Sequence, residues 1–214
     1  MLEGLHWIKN SGFLWDREAR IYIDPWDVPD GWPPADAILF THSHYDHFDL
    51  ADVAKLRGPE TEFWGPQDVA ARLGPEVNVV SPGDAFEVRG HSVDAVPAYN
   101  HRPERLRFHP REKGWMGYVI ALDGVRFYHA GDTDLVPEVE AVSCDVAMLP
   151  VGGHFTMGPD EAGDAAKRLR PRLAIPMHYG FVAGSPLDAD AFVQAAAPIE
   201  VRVLEPARPF ERTR

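Results

Sequence analysis

Thr41-His42-Ser43-His44-Tyr45-Asp46-His47 follows directly on the apolar run Ala37-Ile38-Leu39-Phe40. A buried strand that ends in a polar turn delivers side chains to one edge of a sheet. His42 and His44 stand two apart, so on a backbone that is still extended both point the same way. The turn after them can bring Asp46 and His47 round to a neighbouring position. Imidazole nitrogen and carboxylate oxygen together suit Zn, Mn or Fe, at bond lengths near ~2.0–2.2 Å. A lone histidine here would be an ordinary solvated turn residue. Three histidines and a carboxylate within six residues predict a metal site.

The same grammar recurs downstream. Gly117 to Leu122 and Val125 to His129 are apolar runs around Asp123-Gly124, the strongest hairpin signal in the chain, and Gly131-Asp132-Thr133 follows the second of them. Asp145 to Leu149 reads as a buried strand ending at Pro150-Val151-Gly152-Gly153-His154, and Leu173 to Ile175 as a strand before Pro176-Met177-His178. Before the opening stretch, Leu5 to Ile8, Phe13 to Trp15 and Arg20 to Ile23 read as short strands, with Asn10-Ser11-Gly12 a turn and Asp24-Pro25 closing the third.

Helices fall between these strands. Asp49 is placed to cap a helix through Arg57, ended by Gly58-Pro59, with Leu50, Val53, Ala54 and Leu56 as its apolar face. Pro66 to Leu73, Pro159 to Arg170 and Leu187 to Ala196 are further helices, that of Pro159 to Arg170 with acids in its first turn and bases in its last. Thr61 to Trp64, Asn78 to Val80 and Phe86 to Val96 supply strands, and Glu200 to Leu204 a closing one. Pro97 to Gly114 is a long irregular segment, and a loop of that length in a compact domain is usually functional. It carries Asn100, His101 and His109.

At 214 residues the chain suits one domain, residues 1–214, with a sizeable core. Lys plus Arg number 21 against 33 Asp plus Glu, a net charge of −12, which repels a nucleic-acid backbone. The densest basic stretch, Arg102 to Lys113, reads as a solvated loop or as a rim attracting an anionic small substrate. Cys144 is the only cysteine, so an intrachain disulfide is excluded, and it reads as a small inert core residue. No stretch approaches ~18 consecutive apolar residues, and the start lacks a charged segment followed by an apolar run. A soluble, cytoplasmic protein without a membrane partner is expected.

The words His42-Ser43-His44-Tyr45-Asp46-His47, Ile23-Asp24-Pro25-Trp26, Tyr128-His129-Ala130-Gly131-Asp132-Thr133-Asp134, Leu149-Pro150-Val151-Gly152-Gly153-His154 and Ile175-Pro176-Met177-His178-Tyr179-Gly180 resemble, in order, those of the metallo-β-lactamase superfamily. The flanking text is similar to its small single-domain bacterial metal-dependent hydrolases, the branch that includes a sugar-lactone hydrolase. The resemblance implies an α/β fold, the αββα four-layer sandwich. It implies that His42 and His44 hold a first metal, that Asp46, His47 and His178 hold a second, and that Asp132 bridges the two. It also puts Asp24 beneath the site, accepting the second N–H of a histidine. Where the superfamily's third histidine of the first site is expected, this chain has Asn100. His101 or His109 would substitute from the same loop. With an amide in that place, the two sites would bind with unequal affinity, and Asn100→His would tighten the weaker one.

The expected chemistry is hydrolysis of a small ester, lactone or phosphoester by a metal-bound hydroxide, because a divalent cation lowers the pKa of its water from ~15.7 toward ~7. Asp46 is the candidate proton acceptor and His154, after two glycines, a candidate proton donor or anion contact. The alternative is a metal-binding sensor or structural protein of the same fold, resting on the depleted first site.

Overall fold

The computed structural model describes residues 1–210. Their strands form two six-stranded sheets. The first is ordered β1 (Leu5–Lys9), β2 (Gly12–Asp16), β3 (Arg20–Ile23), β4 (Ala35–Leu39), β5 (Arg57–Gly65) and β6 (Val77–Val79). The second, from its far edge, is β12 (Leu173–Met177), β11 (Val146–Pro150), β10 (Val125–His129), β9 (Met116–Leu122), β8 (His91–Pro97) and β7 (Ala85–Val88). Helices α1 (Leu50–Leu56) and α2 (Gln67–Leu73) pack on the first sheet. Helices α3 (Pro137–Glu140), α4 (Pro159–Leu169) and α5 (Asp188–Ala196) pack on the second. This is the αββα sandwich.

The period of two in the strands builds it. Trp7, Phe13, Trp15, Ile21, Ile23 and Leu39 face the second sheet and join its Val93, Tyr118, Phe127 and Met148 in the main core. Their neighbours Ile8, Leu14, Tyr22, Ile38 and Phe40 point the other way and pack under α1 and α2, against Val53, Leu56 and Val69. Both faces of these central strands are buried, which is why they read as near-continuous apolar runs.

The elements follow the expected order, with instructive departures. Asp49 caps α1, accepting from the N–H groups of Ala51 and Asp52. The buried side chains of that helix, however, are Asp52, Val53 and Leu56, while Leu50 and Ala54 face outward. Asp52 is turned in because it accepts the backbone N–H groups of Asp27 (2.6 Å) and Val28 (3.1 Å). Gly58-Pro59 does not follow the helix as a break; it lies within β5. The run Phe86 to Val96 is two strands, not one, folded at Arg89-Gly90 with both residues at positive φ. An arginine in that place gives no turn signal; its side chain is held by the Asp36 carbonyl (3.0 Å) and the Glu62 carboxylate (3.3 Å). Asp123-Gly124 is the hairpin its residues promise.

Glu200 to Leu204 makes only a single parallel bridge, Val201 with Ala174. Pro198 and Pro206 bracket it, and a proline cannot donate to a ladder. Pro176 is accommodated within β12 for a related reason: that strand lies at the end of its sheet. A few residues past Leu204, the backbone N–H groups of Ala207 (2.8 Å) and Arg208 (3.0 Å) bond to the carbonyls of Trp7 and Ile8, so the last described residues cover the edge of β1. No helix among the described residues is long and apolar enough to cross a membrane.

Gly117 in β9 has no room for a side chain. A Cβ there would stand 2.6 Å from the Ala130 carbonyl oxygen and closer still to that of His129. Gly117→Ala is expected to lower the unfolding free energy by about 2 kcal/mol or more. Urea denaturation checks this, through a lower midpoint at unchanged slope.

Candidate metal centre

The strands β4, β10 and β12 all deliver their C-terminal ends to one edge of the sandwich, where the turn 41–47, the segment 131–134 and His178 meet. Two groups of three side chains gather there, each with its candidate ligand atoms within 4.8 Å of one another: His42, His44 and His109, and Asp46, His47 and His178. Asp132 lies between them. Its Oδ2 is 3.2 Å from His109 Nε2 in the first group and 3.0 Å from His178 Nε2 in the second, and its Oδ1 is 3.4 Å from His47 Nε2. Asp46 Oδ2 is 3.5 Å from both His47 Nε2 and His178 Nε2.

The third member of the first group is His109, not Asn100 and not His101. Asn100 is buried, and its Oδ1 accepts from His109 Nδ1 (2.9 Å) and from the His109 backbone N–H (3.1 Å). Asn100 therefore holds the histidine that fills the place the sequence leaves short. His101 is exposed, with only a 3.7 Å approach to Asp134. The first group is thus not short of an imidazole, and Asn100→His would remove the acceptor that orients His109.

His47 and His42 are each turned by a partner behind the ring. Asp24 Oδ2 accepts from His47 Nδ1 (2.7 Å), which leaves Nε2 to face Asp46 and Asp132. Thr41 Oγ1 donates to Asp24 Oδ2 (2.5 Å) and so is left to accept from His42 Nδ1 (2.9 Å), which frees His42 Nε2 to face His44 Nδ1 at 3.0 Å. These tautomers follow from the hydrogen-bond network. Asp24 also meets His42 and His47 within ligand-forming distance, but its oxygens are already occupied by Thr41 and His47. It is a positioning residue.

Charge and burial leave the cluster suited to a cation. Burial would raise the Asp132 carboxyl, yet His178 and His47 hold it well below the usual carboxylate range. His178 is opposed by burial and pushed up to about 9 by Asp132 and Asp46. His42 is pushed well down by burial and by the neighbouring His47, and His44 is lowered by burial and His109. Moreover His47 Nε2, His109 Nε2 and Asp132 Oδ1 are buried without any hydrogen bond, although each lies among polar neighbours. Buried polar atoms are rarely left so. Atoms close together yet not aimed at one another fit lone pairs directed at a common guest.

Several contributors lie outside the candidate ligand set. Asn10, fully buried at positive φ in the β1–β2 turn, donates to Asp46 Oδ2 (2.9 Å), and its carbonyl accepts from the His178 backbone N–H (3.0 Å). His129 donates from Nε2 to the Ser11 carbonyl (2.8 Å) and accepts the Gly131 N–H on Nδ1 (3.2 Å), which fixes the approach to Asp132. Trp115 packs on the rings of His42, His44 and His109 and donates to Asp68 (2.8 Å), which also takes the Ser43 hydroxyl (2.7 Å).

A cleft of about 220 Å³ opens above the cluster, floored by His44, Asp46, His109 and Asp132 and walled by Tyr45, Phe108, Phe155 and Val182. His154 does not line it. That residue is exposed, packs on Phe108 and Phe155, and lines a separate depression with Arg102, Arg105 and Arg107. The basic stretch is largely spoken for: Arg105 is buried and paired with Asp134 (3.0 Å) and Glu161 (2.6 Å), Arg102 reaches Glu161 and Arg111 reaches Glu138. Cys144 is half-buried beside Asp145, and burial pushes its thiol up to about 12, far from a nucleophile's range.

A model of the beta-lactamase superfamily domain matches residues 4–178. The chain belongs to that superfamily. Among its relatives, a protein of Thermococcus onnurineus is 36% identical over 97% of this chain and 98% of its own. One of Pelotomaculum thermopropionicum is 31% identical over 95% and 97%. Both are named metal-dependent hydrolases, and at this identity and coverage the chain is a member of that family of metal-dependent hydrolases within the superfamily. A crystal structure from Parabacteroides distasonis, provisionally named a metal-dependent hydrolase, superposes with a TM-score of 0.84 at 33% identity, covering 94% of this chain and 92% of that one. The metallo hydrolase Igni18 of Ignicoccus hospitalis gives 0.76 at 26%, covering 95% of each.

The loop that carries His109 hangs on Asp134, which accepts from Asn100 Nδ2 (3.0 Å), from the backbone of His101 (2.8 Å) and Arg102 (2.9 Å), and pairs with Arg105. Arg105→Met leaves Asp134 and Glu161 without their buried cation and is expected to cost about 3 kcal/mol or more. Urea denaturation measures that loss, and limited proteolysis is expected to show new cleavage within 98–114.

Proposed function

We propose that this chain, acting as one domain over residues 1–214, hydrolyses a small ester or lactone with one or two divalent metal ions at the sandwich edge. His42, His44 and His109 would hold one ion, Asp46, His47 and His178 the other, and Asp132 both. The observation that carries the reading is the placement of Asp132, with one carboxylate oxygen 3.2 Å from His109 and 3.0 Å from His178. A three-imidazole group favours Zn or Fe, and the carboxylate-containing group accepts Zn or Mn. A divalent cation so held acidifies water and polarises the scissile carbonyl.

The chain's own residues supply the rest. In the reaction the acyl–oxygen bond breaks, the water hydroxyl joins the acyl carbon and its proton passes to the departing alkoxide. Asp46 borders the cleft. Burial alone would raise its pKa, but His47 and His178 keep it lowered and hence ionised at neutral pH. Its carboxylate is oriented by Asn10 and can carry the proton from water to leaving group. Phe108 and Phe155 wall the cleft beside the reacting atoms, and Trp115 packs on the His109 ring. His154, outside the cleft, has no part in this scheme. The sensor alternative rested on a first group short of a ligand, and His109 removes that ground.

Metal analysis of the purified protein, chelation and re-addition, with turnover of simple esters and lactones, tests the reading. Activity is expected to vanish with chelator and return with Zn or Mn; a metal-free protein with unchanged turnover would overturn it. Asp46→Asn is expected to cut turnover by about a hundredfold or more while the thermal midpoint stays within a few degrees. Asn100→Ala is expected to weaken metal affinity by about 10- to 100-fold, read by calorimetric titration of the stripped protein.

A further inference from the structure

Above its polar floor the cleft has walls of three aromatic rings and one aliphatic side chain, Tyr45, Phe108, Phe155 and Val182. No lysine or arginine is among the described residues that line it. Two cations on neighbouring segments are already bonded. Lys9 is paired with Asp27 at 2.9 Å, and Arg72 donates to the Ser43 carbonyl at 2.6 Å. Arg107 lines the neighbouring depression, its guanidinium 4.8 Å over the Phe108 ring. Beyond the metal-facing cluster, a phosphate or carboxylate on the substrate would lie against apolar surface with nothing to pair it, which costs several kcal/mol. An uncharged ring buries its area against the same walls and gains stacking partners. Size agrees: apolar cavities of about 150 Å³ hold one benzene, so about 220 Å³ admits a single ring with a short tail.

Building on the hydrolase reading above, we infer that the substrate is an uncharged ester or lactone whose group beside the scissile bond is aromatic or compactly apolar, and not a phosphorylated sugar lactone or phosphoester. Phe155 and Phe108 are then specificity determinants. The test compares kcat/KM of the zinc-loaded protein for dihydrocoumarin, γ-butyrolactone and 6-phosphogluconolactone, and repeats it with Phe155→Ala. Dihydrocoumarin is expected to exceed each of the other two at least tenfold. The ratio of dihydrocoumarin to γ-butyrolactone is expected to fall at least fivefold in Phe155→Ala; a ratio is insensitive to the fraction of folded variant. Preference for the phosphorylated lactone, equal use of all three, or an unchanged ratio in the variant would overturn the inference while leaving the hydrolase reading intact. If none of the three is turned over, the ester-and-lactone reading fails. Calorimetric binding then decides the inference: tighter binding of 3-phenylpropionate than of 6-phosphogluconate supports it, and the reverse order overturns it.

Discussion

A single buried carboxylate organises the metal-facing edge. Asp24 ends β3 in the left-handed region, wholly out of solvent, and everything its oxygens bond belongs to the segment 41–47: the Thr41 N–H, the Thr41 hydroxyl and the His47 ring. A lone buried carboxylate would cost several kcal/mol, so the turn is drawn onto it. Two imidazoles take their orientation from this one group, His47 directly and His42 through Thr41. The strand pair β3–β4 thus converts the backbone register of a sheet into the aim of two nitrogen atoms.

The second sheet is fastened to that turn at several points. Tyr118 donates its hydroxyl to the Phe40 carbonyl (2.7 Å), and the Met116 N–H bonds the Thr41 carbonyl (3.2 Å). His129 reaches across to Ser11, and the His178 N–H to Asn10. Side chains from 42 to 178 can then converge because the two sheets are bonded together beside them and not merely packed. The absence of a side chain at Gly117, where β9 passes the carbonyls of residues 129 and 130, belongs to the same close approach.

Much of this was legible in the residues, and the illegible part has a physical explanation. Strand ends announce themselves: apolar runs followed by His-x-His, Gly-Asp or Pro-Met-His mark where His42, His44, Asp132 and His178 leave the sheets, and the resemblance to the superfamily implied that they gather; their aim is set by the turns, with Gly131 and His178 at positive φ. His109 lies in an irregular loop, where spacing carries no direction. Its position depends on Asp134 and Arg105, partners 25 and 4 residues away in the numbering, and neither shows in the local pattern. Asn100 looked like a failed ligand because an amide and an imidazole occupy similar loop positions; only contacts distinguish a ligand from its support. Asn10 was hidden differently. A turn of Asn-Ser-Gly explains itself, so nothing in it advertises a bond to Asp46. His154 shows the converse error, since a histidine after two glycines invites a role that its outward position does not offer.

The order of these parts along the chain has a bearing on how the protein is made. Translation delivers Asn10, Asp24 and the 41–47 turn first, then His109 and Asp132, and His178 only after about four-fifths of the 214 residues have been joined. A chain extended only to residue 100 would hold His42, His44, Asp46 and His47 without β9 to β12 of the opposing sheet and without His109, Asp132 and His178. Release of β12 from the ribosome is the event that closes the edge. The edge is thus assembled from parts that become available at widely separated points of synthesis.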